Sequence, residues 1–179
     1  MFENDLKNAE KNYNSALERG EIIKSKKQPA FVSSFVNFAE SSLITASMIF
    51  EISKNKEKKI AMGVGENYDG SMWVVVACYF SMFYMASALL AKKGIKIGRI
   101  DTHRNVRDAF LHVYIANHTI DRELGVDYSE AKELAEDLIS EREKRSKYQY
   151  EVGSSILEKD AVTSLKRARN FFEKTRLLI

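Results

Sequence analysis

Apolar residues recur every three to four positions through most of this chain, and short runs dense in charge or glycine separate the repeats. One segment departs from that pattern. From Ser71 to Ala91, twenty-one residues carry no charge, bounded by Asp69 before and Lys92-Lys93-Gly94 after. As a helix it measures about 30 Å, the thickness of a bilayer core and also of a small domain. Its hydroxyl-bearing residues, Ser71, Tyr79, Ser81, Tyr84 and Ser87, each need a hydrogen-bond partner. A protein interior supplies partners more readily than lipid does, so a buried central helix is expected rather than a membrane span.

Around this segment the periodicity predicts five further helices. Leu6, Ala9, Tyr13, Ala16 and Leu17 mark an amphipathic helix over residues 4–19 that Gly20 ends. After a basic linker, Pro29 suits a helix start, and Phe31, Phe35, Phe38, Ala39, Ser42, Ala46, Ile49 and Phe50 make a broad stripe over 31–53. Residues 54–70 read as a charged stop and a glycine-bearing connector. Gly94 suits the left-handed cap of the central helix. Asp101 or Thr102 opens a helix reaching about Asn117, with Val106, Ala109, Phe110 and Val113 inward. A helix over 128–150 begins at Asp127, with Glu130 placed as in a capping box. A last helix over 156–178 follows the break at Gly153-Ser154-Ser155.

Composition agrees with this reading. One proline and eight glycines in 179 residues leave few strand-turn signals, so the expected fold class is all-α, an up-and-down helical bundle of four core helices with flanking helices. The expected organisation is an N-terminal helix and linker over 1–28, then a bundle over 29–179. The net charge of +3 does not by itself imply nucleic acid. Its distribution says more: residues 142–176 hold ten Lys and Arg against five Asp and Glu, a surface suited either to phosphate or to solvent. The lone Cys78 lies among apolar residues, which disfavours a nucleophilic role, permits no internal disulfide and fits a reducing, cytoplasmic setting. The N-terminus lacks the basic-then-apolar layout of a secretory leader.

Candidate chemistry falls into two clusters. In Asp101-Thr-His103-Arg104-Asn-Val-Arg107-Asp108-Ala-Phe-Leu-His112, His103 with Arg107 and Asp108 with His112 share helix faces. Arg107 and His112 lie about 140° apart on a helix. Brought together, they could cleave RNA, arginine stabilising the developing phosphate charge and histidine moving the 2′-hydroxyl proton. Asp108–His112 as a surface pair is the structural alternative. In the second cluster, Glu141 to Tyr150, the cations Arg142 and Arg145 alternate with Tyr148 and Tyr150, an arrangement that holds phosphates and stacks bases or else packs a helix end. The histidines lack metal-ligand spacing, and Gly63-Val-Gly65 lacks the strand and Gly-Lys-Ser/Thr of a phosphate loop, so no metal or cofactor is expected.

Several of these residues resemble a known family. Tyr79-Phe-Ser-Met82-Phe83-Tyr-Met-Ala86-Ser-Ala88-Leu89-Leu90 resembles the tyrosine-rich second core helix of HEPN domains, in their small prokaryotic branch. Thr102-His103 with Val106 and Phe110 resembles that branch's Ser/Thr-His element, and Arg145 with Tyr150 its arginine–tyrosine signature. The likeness runs from about Phe31 to Phe172. It implies a four-helix bundle, commonly a homodimer, in RNA-linked defence, toxin–antitoxin pairs or nucleotide handling, often beside a small nucleotidyltransferase. Catalytic members are metal-independent endoribonucleases whose last core helix carries an arginine followed four to six residues on by a histidine. Here no histidine follows Arg142 or Arg145. The expectation is therefore a cytoplasmic, non-catalytic module that binds RNA, a nucleotide or a partner protein, with no membrane role. Arg142, Arg145, Tyr148 and Tyr150 would line its site and His103 would brace it. The alternatives are an endoribonuclease using Arg107 and His112, and a structural subunit of a larger assembly.

Overall fold

The computed structural model describes residues 2–150 and 158–179, and among them it is an all-α helical bundle. In chain order the helices are α1 (Phe2–Glu18), α2 (Val32–Lys54), α3 (Lys56–Ala61), α4 (Ser71–Lys92), α5 (Thr102–Phe110), α6 (Thr119–Leu124), α7 (Tyr128–Tyr150) and α8 (Glu158–Arg176). A 3₁₀ turn, Gln28–Phe31, leads into α2 with Pro29 in its first positions. A π-helical turn, Leu111–Ala116, continues α5.

The uncharged segment is the spine. α4 packs against α2, α5, α7 and α8, and sixteen of its residues, from Ser71 to Ala91, are buried. Two of its hydroxyls find protein partners: Ser87 Oγ donates to the Phe83 carbonyl at 2.8 Å, and Tyr79 meets a histidine from α5. Ser81 Oγ is buried with no partner among the described residues. Two helices, spanning Gln28–Lys54 and Ser71–Lys92, are long and apolar enough to cross a membrane. In the most apolar stretch of the second, 83% of residues lie inside the fold, against 11% for the first.

The elements expected from periodicity recur at nearly their expected bounds, and three features add to them. α3 occupies part of the 54–70 connector, capped by the Asn55 side chain accepting from Lys58 N at 3.0 Å. The connector then docks through Gly70, whose N–H donates to Ser53 Oγ at 2.9 Å. A Cβ at Gly70 would sit 2.3 Å from Ile49, so only glycine allows this approach. Second, Ile22–Lys24 (β1) and Ile95–Ile97 (β2) form a short antiparallel ladder pairing Ile22 with Ile97. It ties the start of the chain to the turn after α4, where Gly94 adopts the expected left-handed conformation at φ 72°. Third, the single helix expected over 102–117 is divided into α5, the π turn and α6, with His118 left-handed at φ 52° between the last two. The expected break at Gly153-Ser154-Ser155 and the first residues of the last helix lie outside the described residues.

α1 is integral to the packing. Phe2, Leu6, Ala9, Tyr13 and Ala16 are buried and face α5 and the π turn, as the apolar stripe of this helix requires. On the far side, α7 and α8 are joined by a buried ionic network. Glu141 is wholly buried and accepts from Ser164 Oγ (2.5 Å), Lys144 Nζ (2.8 Å) and Arg167 Nη1 (3.1 Å). Arg167 Nε also reaches Asp137 at 2.7 Å. Burial nevertheless pushes the Asp137 carboxyl up to about 6. Glu130 is ion-paired with Lys174, which ties the start of α7 to α8.

Phe171 is fully buried, its ring 5.7 Å from that of Phe110. Phe171→Ala leaves a cavity between α8 and α5 and is expected to cost about 3–5 kcal/mol in urea denaturation. The exposed Val162→Ala on the same helix is expected to change stability by about 0.5 kcal/mol or less.

Candidate functional site

The start of α5, the turn before it and the middle of α7 converge on α4. α7 divides its side chains by helical spacing: Glu141, Lys144 and Tyr148 turn toward α8, while Arg142 and Arg145 turn toward α4 and α5. Tyr148 donates its hydroxyl to Asp160 Oδ2 at 3.0 Å. The cluster read as one surface in the sequence is therefore two, because positions three and four apart share a face and their immediate neighbours do not.

Arg145 packs as a cation among aromatic rings, its guanidinium carbon 5.9 Å from the Tyr79 ring, 5.7 Å from Phe80 and 5.1 Å from Tyr150. Such stacking holds a guanidinium in place while leaving its charge uncompensated. Its Nε is buried without a hydrogen-bond partner. Arg142, half-buried, makes no hydrogen bond or ion pair among the described residues. Burial lowers its pKa, and neighbouring Arg107 acts in the same direction.

His103 completes the group. Its ring lies 4.7 Å from Phe83, and its Nδ1 is 2.8 Å from the Tyr79 hydroxyl. Tyr79 is fully buried, and burial pushes its phenol up to about 12, so it keeps its proton. No other acceptor meets that hydroxyl among the described residues, so Tyr79 donates to Nδ1 and the imidazole proton is assigned to Nε2. Burial lowers the His103 pKa, and the charges of Arg145 and Arg142 lower it further. The ring is therefore neutral near pH 7.

These side chains line a cavity of about 510 Å³, walled by Arg99, Asp101, Thr102, His103, Arg104, Arg142, Arg145 and Ser146. Four arginines face one carboxylate, Asp101, which is ion-paired with Arg104. Asp101 turns the chain at φ 48°, a left-handed conformation that aspartate tolerates better than most residues. Thr102 Oγ1 donates to Gly98 O at 2.9 Å and anchors the same turn. Behind the turn lies an apolar cavity of about 260 Å³ lined by Phe35, Phe83, Ile95, Ile97 and Val106, which shares Arg99 and Thr102 with the basic one.

Of the residues singled out in the sequence, His103, Arg142, Arg145 and Tyr150 come together. Arg107 and His112 do not. Arg107 Nε donates to Asp108 at 2.6 Å, and Asp108, buried, also accepts from Asn12 Nδ2 at 2.9 Å. His112 stacks on Tyr13 with centroids 4.8 Å apart, and its buried Nδ1 has no partner. With Asp108 taken by Arg107 and Asn12, and His112 stacked on Tyr13, the Asp108–His112 pairing is not made. Arg104 lies within the first sequence cluster without a role of its own there, and Arg99 lies outside both clusters. Arg99 follows β2 with no local signal to mark it. Among the described residues, no group of three or more His, Cys, Asp or Glu is gathered as a metal site would need.

No protein-family model matches this chain, and no curated protein matches it significantly.

Burial, and after it the charges of Arg145 and Arg142, hold the His103 imidazole neutral. In an NMR titration, His103 is expected to protonate below the ordinary histidine range, and Arg145→Ala to move its midpoint upward.

Proposed function

We propose that this protein is a helical module that binds a phosphate-bearing ligand, RNA or a nucleotide, in the cavity between α5 and α7. The observation that carries this reading is four arginines around one cavity with a single carboxylate among its lining residues, one of them, Arg142, without a hydrogen bond or ion pair among the described residues. Partly buried guanidinium groups of one sign repel each other, and an anion relieves that repulsion while supplying the missing acceptors. Arginine is the side chain best shaped for this, since its planar fork matches phosphate oxygens. The adjoining apolar cavity supports a ligand that joins phosphate to a ring, as a nucleotide does. Tyr150, half of it or more in solvent, offers a face for a stacked base beside Arg145. The HEPN-like residues Tyr79, Thr102-His103 and Arg145 all lie at or beside this cavity, which supports the same reading.

Binding of a fluorescent single-stranded RNA, followed by anisotropy across a salt series, tests it. Arg142→Ala is expected to weaken binding about tenfold or more and to lower the salt slope by roughly one. Arg169→Ala, on α8 against α2, should leave both unchanged. Unchanged affinity in Arg142→Ala would remove the proposed site.

One observation favours a catalytic variant of this reading. A neutral histidine beside two arginines is the pairing that metal-independent RNA cleavage uses, and in this fold it involves His103 rather than His112. With Nδ1 accepting from Tyr79 and Nε2 protonated, His103 would first pass to the other tautomer, Nδ1–H donating to the Tyr79 oxygen. Nε2 would then take the 2′-hydroxyl proton and the 2′-oxygen would attack phosphorus. The bond to the 5′-oxygen would break and the imidazolium would return the proton to it, giving a 2′,3′-cyclic phosphate and a 5′-hydroxyl. Cleavage of RNA in EDTA that is lost in His103→Ala and kept in His112→Ala would establish it. Absence of cleavage at any pH between 5 and 9 leaves the binding module alone.

A further inference from the structure

The cations around the basic cavity divide by burial. Arg142 and Arg145, half-buried on α7, lie deeper, where Arg145 is held against the rings of Tyr79 and Phe80 and its Nε is sealed from solvent. Arg99 and Arg104 are exposed, on the side of α5. The one carboxylate of the lining, Asp101, is exposed as well and is ion-paired with Arg104. Arg99, Arg142 and Arg145 therefore keep charges that no lining carboxylate meets. None of the three makes a hydrogen bond or ion pair among the described residues. The Nε2–H of the neutral His103 ring adds a donor that also has no partner among them.

This arrangement distinguishes between two forms of phosphate. A diester inside a strand carries a single negative charge, and a ribose flanks it on each side. To touch Arg142 and Arg145 it has to bring both riboses into the recess between α5 and α7. A terminal phosphate carries a second charge and a further free oxygen, and it has a substituent on one side only. It enters oxygens first and offers the guanidinium forks more acceptors than a diester does. Several uncompensated cations are neutralised better by a dianion than by a monoanion. Partial burial enlarges that difference, because water screens the charges less there.

We propose that the basic cavity selects a terminal phosphate, the monoester at the end of an RNA strand or of a free nucleotide, over the internal diesters of a strand. This rests on the phosphate-binding reading above and narrows its ligand class. Calorimetry at slightly alkaline pH, where a terminal phosphate is a dianion, compares oligouridylates of one length that end in a 5′-phosphate or a 5′-hydroxyl. The phosphorylated strand is expected to bind about tenfold tighter or more. A 5′-hydroxyl strand lengthened until its diesters carry the same total charge should not reproduce that gain. Arg142→Ala is expected to abolish most of the preference. Its circular dichroism should be unchanged, because Arg142 leaves no hydrogen-bond or ion-pair partner behind among the described residues. Uridine 5′-phosphate separates the two sources: affinity equal to that of the phosphorylated strand assigns the site to free nucleotides, and much weaker binding assigns it to strand ends. Equal affinity for the phosphorylated and unphosphorylated strands overturns the proposal and leaves the phosphate-binding reading standing. So does a preference that survives intact in Arg142→Ala, or one matched by the lengthened strand. If neither the strands nor the nucleotide binds, both readings fall.

Discussion

A helix of twenty-one uncharged residues has to be covered on every side, and the rest of this structure is arranged to do so. Each large side chain of α4 taken out of water contributes roughly 1.5–3 kcal/mol, and few other segments of the chain offer a comparable density of such groups. α2, α5, α7 and α8 all lie against it, and the short ladder of β1 with β2 fastens the turn where α4 ends. Some of the polar groups of α4 that make it an awkward membrane span are satisfied here, Ser81 Oγ not among them. Ser87 returns its proton to its own helix, and Tyr114 from the π turn donates to the Leu89 carbonyl at 2.6 Å.

The basic cavity arises from that covering. Where α5 and α7 cross the aromatic stretch of α4, Tyr79, Phe80 and Phe83 present ring faces to cations and to an imidazole. Arg145 gains stacking there but no carboxylate, so it keeps a positive field that other arginines reinforce. The contrast with Arg167 is instructive. That residue, also on a helix packed against α4, is met by Asp137 and Glu141 and belongs to the structural joint between α7 and α8. Two arginines of similar exposure thus have different physical roles, decided by whether acids meet them.

α2 shows the same logic from the opposite side. Its composition is nearly as apolar as a core helix, yet only Ala39 and Ala46 of its residues are buried. Small residues on the inner face let it lie close along α4, while phenylalanine and methionine stay outside. That leaves one long face of α2, Phe38 and Met48 included, in solvent.

Periodicity alone determined much of this fold. The uncharged run, the stripes of α1, α2, α5, α7 and α8, and the stops at Gly20 and Gly94 follow from local rules: apolar spacing for helices, and left-handed backbone for glycine. Hydroxyls within 71–91 were enough to favour the core helix. Two site residues, Arg142 and Arg145, were legible as cations three apart on one face. The tertiary structure alone decided which cations stay uncompensated, because that depends on which carboxylates arrive from elements far away in sequence. It brought His103 to Arg145 across more than forty positions and added Arg99 from a turn without a motif. It also gave Arg107 and His112 separate partners, Asp108 for the one and the Tyr13 ring for the other, and divided the expected helix by a π turn that no local pattern announces.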